Sequence, residues 1–367
     1  MILRTLELDF FRNYTHLNCD FDPGMNVIWG ENAQGKTNLL EACAYLASAK
    51  SHRARYDREL IQFGVDHAFV KGEIFSRERE FTQEARLHRG QRRDLFSNGV
   101  RLKTAAELGQ VLNTILFCPE DLTLIRAGAA ERRAFLDDAI CQLRPRYAAA
   151  LAEYKRLYEQ KVRILRDREE YPSLLDTLDD FNLRLAQVGA LLVHYRAHFV
   201  RHLSRLASPI QADFSGGREK LSLRYETVST VTDPEAPPKV LLEQILDHQQ
   251  SHKRAELETR QCLTGPHKDD LAVEIDGQNA RQFASQGQTR TAALSLKLAC
   301  REFYREDTGQ WPVLLLDDVL SELDSRRQSF ILERITQGQV LITCCEDSRA
   351  VPAHGKRFQI SAGRLVG

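Results

Sequence analysis

The sequence predicts an α/β protein: a mixed sheet with helices, interrupted by an inserted helical arm. Three observations predict it. Near the N-terminus an apolar strand runs into a glycine turn and then a helix. Near the C-terminus a second apolar strand ends in two aspartates. Between them, apolar residues repeat at threes and fours over a long stretch. Strands at both ends with helices between them fit one sheet built from the two ends of the chain.

The first strand is Val27, Ile28 and Trp29. Gly30, Glu31, Asn32, Ala33, Gln34, Gly35, Lys36 and Thr37 follow, then Asn38. This is the pattern G-x-x-x-x-G-K-[ST]. Leu39, Leu40, Ala42 and Leu46 then recur at helical spacing, so the helix should end by Lys50. Glycines let successive backbone N–H groups turn inward onto phosphate oxygens, and a helix start adds its positive dipole end. Lys36 is expected on the β- and γ-phosphates of ATP, and the Thr37 hydroxyl on Mg²⁺. The alternative, an ordinary glycine turn with a surface lysine, does not explain the strand and helix flanks.

The second strand, Val313, Leu314, Leu315 and Leu316, ends in Asp317 and Asp318. An unbroken apolar run suits a strand buried on both faces of a parallel sheet, with its acids at the ligand-binding end. Asp317 fits the Mg²⁺-holding role and Asp318 that of orienting or deprotonating the attacking water. Ser321, Glu322, Leu323 and Asp324 follow directly. Such a run means little alone and gains its meaning from the glycine loop upstream.

Ser285, Gln286, Gly287 and Gln288 open another helix, with Ala292, Ala293, Leu296, Ala299, Cys300 and Phe303 expected inward. Ser285 with Gln288 reads as a capping box. It reads equally as an anion site, a helix N-terminus carrying a hydroxyl and a glycine N–H. Because the glycine loop already serves one side of ATP, this second site is expected to serve ATP on another copy of the chain.

Bulk properties set limits. At 367 residues the chain has room for two domains. Net charge is zero, so any nucleic-acid site must be a local patch. The eight cysteines show no metal-ligand spacing, and Cys344 and Cys345 are adjacent; all are expected to be free thiols in a cytoplasmic protein. The N-terminus lacks a signal-peptide layout, and no apolar stretch is long enough to span a membrane.

Other elements follow in order. Leu3, Leu6, Leu8 and Phe10 predict a strand, turning near Asn13 into another over 17–21. Residues 51–58, with Arg53, Arg55 and Arg58, form a basic loop that reads either as a contact to nucleotide or DNA or as a solvated turn. Strands are expected over 68–75 and 81–87. Arg89, Arg92 and Arg93 around Gly90 suggest a basic hairpin tip, a phosphate grip or a plain surface turn. Another strand, over 113–117, stops at Pro119. Residues 131–206 are helical, broken at Pro145 and at Tyr171, Pro172 and Ser173. Leu174, Leu178, Phe181, Leu185, Val188, Leu192, Tyr195, Phe199, Leu203 and Leu206 make the longest stripe, read as one limb of an antiparallel hairpin or as part of a helical bundle. Arg196, His198, Arg201, His202 and Arg205 give that helix a basic face. A helix over 239–260 and a strand over 271–275 follow.

Together these motifs resemble the ABC-type ATPase heads and, within them, the RecF family of bacterial recombination mediators, related to SMC heads. The matching residues are Gly30 through Asn38; Phe117, Pro119, Glu120, Asp121 and Leu122; Glu131, Arg132, Arg133, Phe135, Leu136 and Asp137; Gly265, Pro266, His267, Lys268, Asp269 and Asp270; Ser285 through Gln288; and Leu316 through Asp324. They cover nearly the whole chain in order. The resemblance implies a head made from residues 1–125 and 256–367 with a helical arm over 126–255. It implies ATP and Mg²⁺ as cofactors, with Asp324 joining the nucleotide contacts. It also implies an ATP-dependent homodimer on gapped DNA near single-strand/double-strand junctions, working with RecR and RecO to load RecA. Asp318 stands where transporter heads place glutamate, residues 341–345 offer no switch histidine, and Glu120 or Asp121 takes the place of the usual glutamine, so a slow ATPase is expected. The competing readings are an ABC transporter subunit, an SMC-like chromosome scaffold and a small-molecule P-loop kinase.

Overall fold

The computed structural model describes residues 1–345 and 355–366. In chain order the elements are β1 (Ile2–Phe11), β2 (Tyr14–Asp20), β3 (Met25–Trp29), α1 (Lys36–Ser48), β4 (His67–Ser76), β5 (Arg79–His88), β6 (Asp94–Ser97), β7 (Val100–Arg101) and β8 (Thr114–Phe117). Then come α2 (Ala129–Leu143), α3 (Pro145–Asp167), α4 (Leu178–Ser215), β9 (Leu221–Glu226), α5 (Pro238–Thr259), β10 (Asp270–Ile275), β11 (Gln278–Asn279), α6 (Ala280–Phe283) and α7 (Gln286–Thr308). The chain closes with β12 (Val313–Leu316), α8 (Ser325–Arg334), β13 (Val340–Cys344), β14 (Lys356–Ser361) and β15 (Arg364–Val366). They form two compact units, one of residues 1–122 with 296–367 and one of residues 123–295. Residues 256–295, expected with the C-terminal part of the head, therefore group with the inserted region.

The first unit holds two six-stranded sheets, ordered β2-β1-β4-β5-β6-β7 and β15-β14-β3-β13-β12-β8. The first is antiparallel; in the second all neighbours pair in parallel except β14 with β15. Helix α1 packs on β1, β4 and β5 of one sheet and on β8 and β13 of the other. Ten of its 13 residues are buried, which is why apolar residues cover more than one face. The Gln339 side chain ties the sheets: its amide donates to the carbonyls of Leu3 (2.7 Å) and Asp22 (3.0 Å), and its oxygen accepts from Leu3 N–H at 2.8 Å. Strand β1 departs from simple alternation. A register shift between Leu3 and Thr5, and a left-handed Phe10 (φ 51°), bury Phe11 instead of the expected Phe10.

In the second unit α3 and α4 form the predicted antiparallel hairpin, closed at its tip by Ile164, Leu165, Leu178 and Cys262. Helix α4, at 38 residues, extends beyond Leu206 and is about 57 Å long. Pro209 lies within it, and left-handed Gly216 ends it, with Gly217 N–H reaching back to Ala212 O at 2.7 Å. The apolar stripe meets more than one partner, because α4 also packs on α5, α2 and β9. The expected basic face is partly internal. Arg196 is 3% exposed and donates to Asp137 (2.8 Å) and to Pro266 O (2.8 Å), with Asp269 at 3.6 Å. Arg132 grips Asp270 with two bonds of 2.7 Å. The segments 131–137 and 265–270, matched separately in the sequence, are thus one buried ion-pair cluster.

Candidate nucleotide-binding site

Strand β3 ends at Trp29, and Gly30 turns the chain at φ 153°, where a β-carbon would lie 2.3 Å from the Ile360 carbonyl oxygen. Gly35, at φ 118°, caps α1 from the left-handed region. The loop between them is braced from the β1–β2 turn. Asn13 donates to Gln34 O (2.9 Å), Tyr14 OH to Gly35 O (2.9 Å), and Asn38 to Asn13 Oδ1 (2.8 Å). From the sequence Asn13 marked only a turn, and nothing in a single sequence links it to a loop 21 residues on.

Lys36 is 4% exposed, and its ammonium donates to the carbonyls of Gly30 (2.8 Å) and Glu31 (2.9 Å). It therefore lies within the loop. Glu41, one turn further along α1, is buried and held by the Arg12 guanidinium in two bonds of 2.9 Å. Burial pushes its carboxyl up, but Arg12 and Ser51 outweigh this and hold it below the ordinary glutamate value.

Strand β12 is buried throughout and lies between β8 and β13 in the parallel sheet. Its C-terminal end delivers Asp317 to α1: Thr37 Oγ1 donates to Asp317 Oδ1 at 2.9 Å. Thr343, at the end of β13, donates to the same oxygen at 2.9 Å and accepts from Asp318 N–H at 2.8 Å. Thr343 belongs to no motif in the sequence. Its signal was position alone, one residue past the register pair Leu316 and Ile342. Burial pushes the Asp317 carboxyl above its ordinary value and Asp318 adds to this, against the two threonine hydroxyls. Asp318 itself sits at φ 51°.

These residues fit the groups that the motifs imply. Mg²⁺ takes one or two protein oxygens and completes its octahedron with phosphate and water; Thr37 and Asp317 provide one hydroxyl and one desolvated carboxylate beside it. A buried ammonium, a left-handed glycine and the N–H groups of the first turn of α1 suit a polyphosphate.

The other residues predicted for the site fall as follows. Asp324 caps α8, accepting from Arg327 N–H at 3.0 Å. Cys345 Sγ lies 2.9 Å from Asn32 Oδ1 and 3.8 Å from Asp318 Oδ1. Asp121 is ion-paired with Lys297 at 2.8 Å and accepts Cys118 N–H at 2.9 Å, while Glu120 is exposed. In the second unit Ser285 is exposed at the start of α7. It forms the capping box: Gln288 N–H donates to Ser285 Oγ at 3.2 Å, and Ser285 N–H to Gln288 Oε1 at 2.9 Å. Arg126 holds the preceding residue by donating to Ala284 O at 3.1 Å. Gln286 and Gly287 lie in the first turn of α7.

A glycine loop on a parallel sheet, a neighbouring strand ending in the carboxylate that meets the loop's threonine, and a long helical insertion define a P-loop ATPase head of the ABC and SMC type. The model of the RecF/RecN/SMC N-terminal domain family matches residues 2–358. The chain belongs to that family and, within it, to the RecF proteins. DNA replication and repair protein RecF of Agathobacter rectalis is 39% identical over 344 residues, covering 94% of this chain and 92% of the relative. Its counterpart in Symbiobacterium thermophilum is 39% identical over 372 residues, covering 100% and 98%. The solved structure of the recombination mediator protein RecF-ATP in the RecFOR pathway superposes with a TM-score of 0.91 at 32% identity, covering 100% and 97%. An SMC head domain of Pyrococcus furiosus, at 19% identity and a TM-score of 0.55 with 100% and 96% covered, shares the fold.

Proposed function

We propose that this chain is an ATP-dependent DNA-binding protein of recombinational repair. It dimerises with ATP on gapped DNA near single-strand/double-strand junctions and acts there with RecR and RecO to help load RecA. The observation that carries the reading is the joining of Thr37 to Asp317 beside buried Lys36, a Mg²⁺·ATP seat by its donor set. The relatives' role in DNA replication and repair and the RecFOR pathway of the solved counterpart support the wider reading.

In this reading Lys36 leaves the carbonyls of Gly30 and Glu31 for the β- and γ-phosphates. Thr37 and Asp317 hold the cation, and Asp318 orients the attacking water. Bound Mg²⁺·ATP supplies the transferable phosphoryl group and its charge neutralisation. A second copy places Ser285, Gln286, Gly287 and Gln288 on the far side of the nucleotide, with Asp324 at the same junction. The exposure of Ser285 at a helix N-terminus supports this, since the helix dipole favours an anion there. Hydrolysis then opens the dimer, and the ATPase is slow. A cytoplasmic location follows from the proposed work on DNA; no helix among the described residues is long and apolar enough to cross a membrane.

Light scattering with ATP, ADP or no nucleotide, with and without gapped DNA, tests it. Dimers are expected with ATP alone, and Ser285→Arg should remain monomeric while still binding ATP. Full-rate turnover by a strictly monomeric form would remove the shared-site reading.

A further inference from the structure

The two basic segments read separately in the sequence form one surface. Arg93 pairs with Asp57 at 2.9 Å, joining residues 89–93 to the loop after α1. Arg89 donates to Val65 O (2.7 Å) and Gln62 O (3.5 Å), gripping the backbone on both sides of Phe63. Phe63 is 98% exposed and Tyr56 48% exposed. The exposure of Phe63 does not come from slack chain. Gln62 N–H donates to Phe10 O at 2.8 Å, Ile61 bridges Phe11, and Arg89 N–H reaches Asp66 O at 2.9 Å. The Tyr56 ring is flanked by the guanidinium groups of Arg55 (5.4 Å) and Arg58 (4.8 Å).

Resting on the function proposed above, we propose that this surface is a docking strip for single-stranded nucleic acid. Tyr56 and Phe63 act as base-stacking platforms, and Arg53, Arg55, Arg58, Arg89 and Arg92 as phosphate contacts. Exposed aromatic rings on a held backbone, with arginines nearby, are the features that recognise unpaired bases and their backbone. A hydrophobic protein partner would call for a contiguous apolar patch, whereas here Arg55 and Arg58 flank the Tyr56 ring and Arg89 holds the backbone beside Phe63. Paired bases hide their faces in the stack, so the rings select the unpaired side of a junction. The strip is tied to the nucleotide site, because Arg53 Nη1 donates to Asn38 Oδ1 at 3.0 Å and Asn38 directly follows Thr37.

The test uses the full chain with ATP, a fluorescent duplex carrying a single-stranded tail, and the matched blunt duplex. Tyr56→Ala/Phe63→Ala should bind the tailed duplex about tenfold or more weakly, while blunt-duplex affinity stays within about twofold. ATP binding and thermal unfolding should match the parent, since both rings are exposed. The Trp emission of Phe63→Trp should be quenched by the tailed duplex and not by the blunt one. If the double variant keeps parental affinity for the tailed duplex, the strip is not the site, and loss of a protein partner instead would make it a protein-docking surface. If the parent itself shows no ATP-dependent DNA binding, the function proposed above fails along with it.

Discussion

Thr37 donates its hydroxyl to Asp317 across 2.9 Å, although 280 residues separate them. One end of the pair is fixed by the first turn of α1 and the other by the C-terminal end of β12. Chemistry at this point should depend on both ends of the chain equally. Lys36→Arg and Asp317→Asn should each lower ATP hydrolysis by roughly 100-fold or more, measured as phosphate release. In Lys36→Arg the reason is shape: a planar fork does not fit where a compact ammonium does. Parental turnover in either variant would displace the site.

Arg196 should matter for stability and not for nucleotide chemistry. It is buried with Asp137 and Asp269, and Tyr225 and Tyr147 bond to the same carboxylates. Arg196→Met strands two carboxylates in a dry interior and should cost roughly 3–5 kcal/mol, read as a lower urea midpoint for the 123–295 unit. ATP binding by the folded variant should persist.

Acid should weaken the same unit through His267. Its Nδ1 accepts from Tyr154 OH at 2.8 Å and its Nε2 donates to Cys262 O at 3.1 Å, which fixes the neutral ring. Burial pushes the imidazole down from 6.5 to about 4. Between those values the unfolded chain binds the proton and the folded one does not, so stability falls as pH falls through the window. The loss should approach about 3 kcal/mol. Denaturation at pH 7 and pH 4.5 should show His267→Gln with a smaller difference between the two than the parent; an equal difference would clear His267.

Thiol labelling should report on the nucleotide. All eight cysteines are free of disulfides, and Cys345 alone is exposed. Burial pushes the thiols of Cys19 and Cys300 up to about 12 and that of Cys262 to about 11, so they should react slowly. Cys345 should label first, and ATP should slow it several-fold, since its sulfur lies against Asn32 of the glycine loop. Peptide mapping after a short pulse checks both points.

The glycine loop, the acid-ended strand, the capped helix at Ser285 and the helical hairpin are legible in the chain. Each is a local pattern, written by spacing, turn residues and periodicity within a few residues. Which distant side chains complete them is set by the folded packing. Asn13 and Tyr14 brace the loop, Thr343 shares the Asp317 oxygen, Arg196 leaves the expected basic face for the core, and Arg93 joins two basic loops into one surface. The reason is physical: strand neighbours in a parallel sheet and partners in a buried ion-pair cluster are set by packing across long chain separations, which no short-range periodicity records.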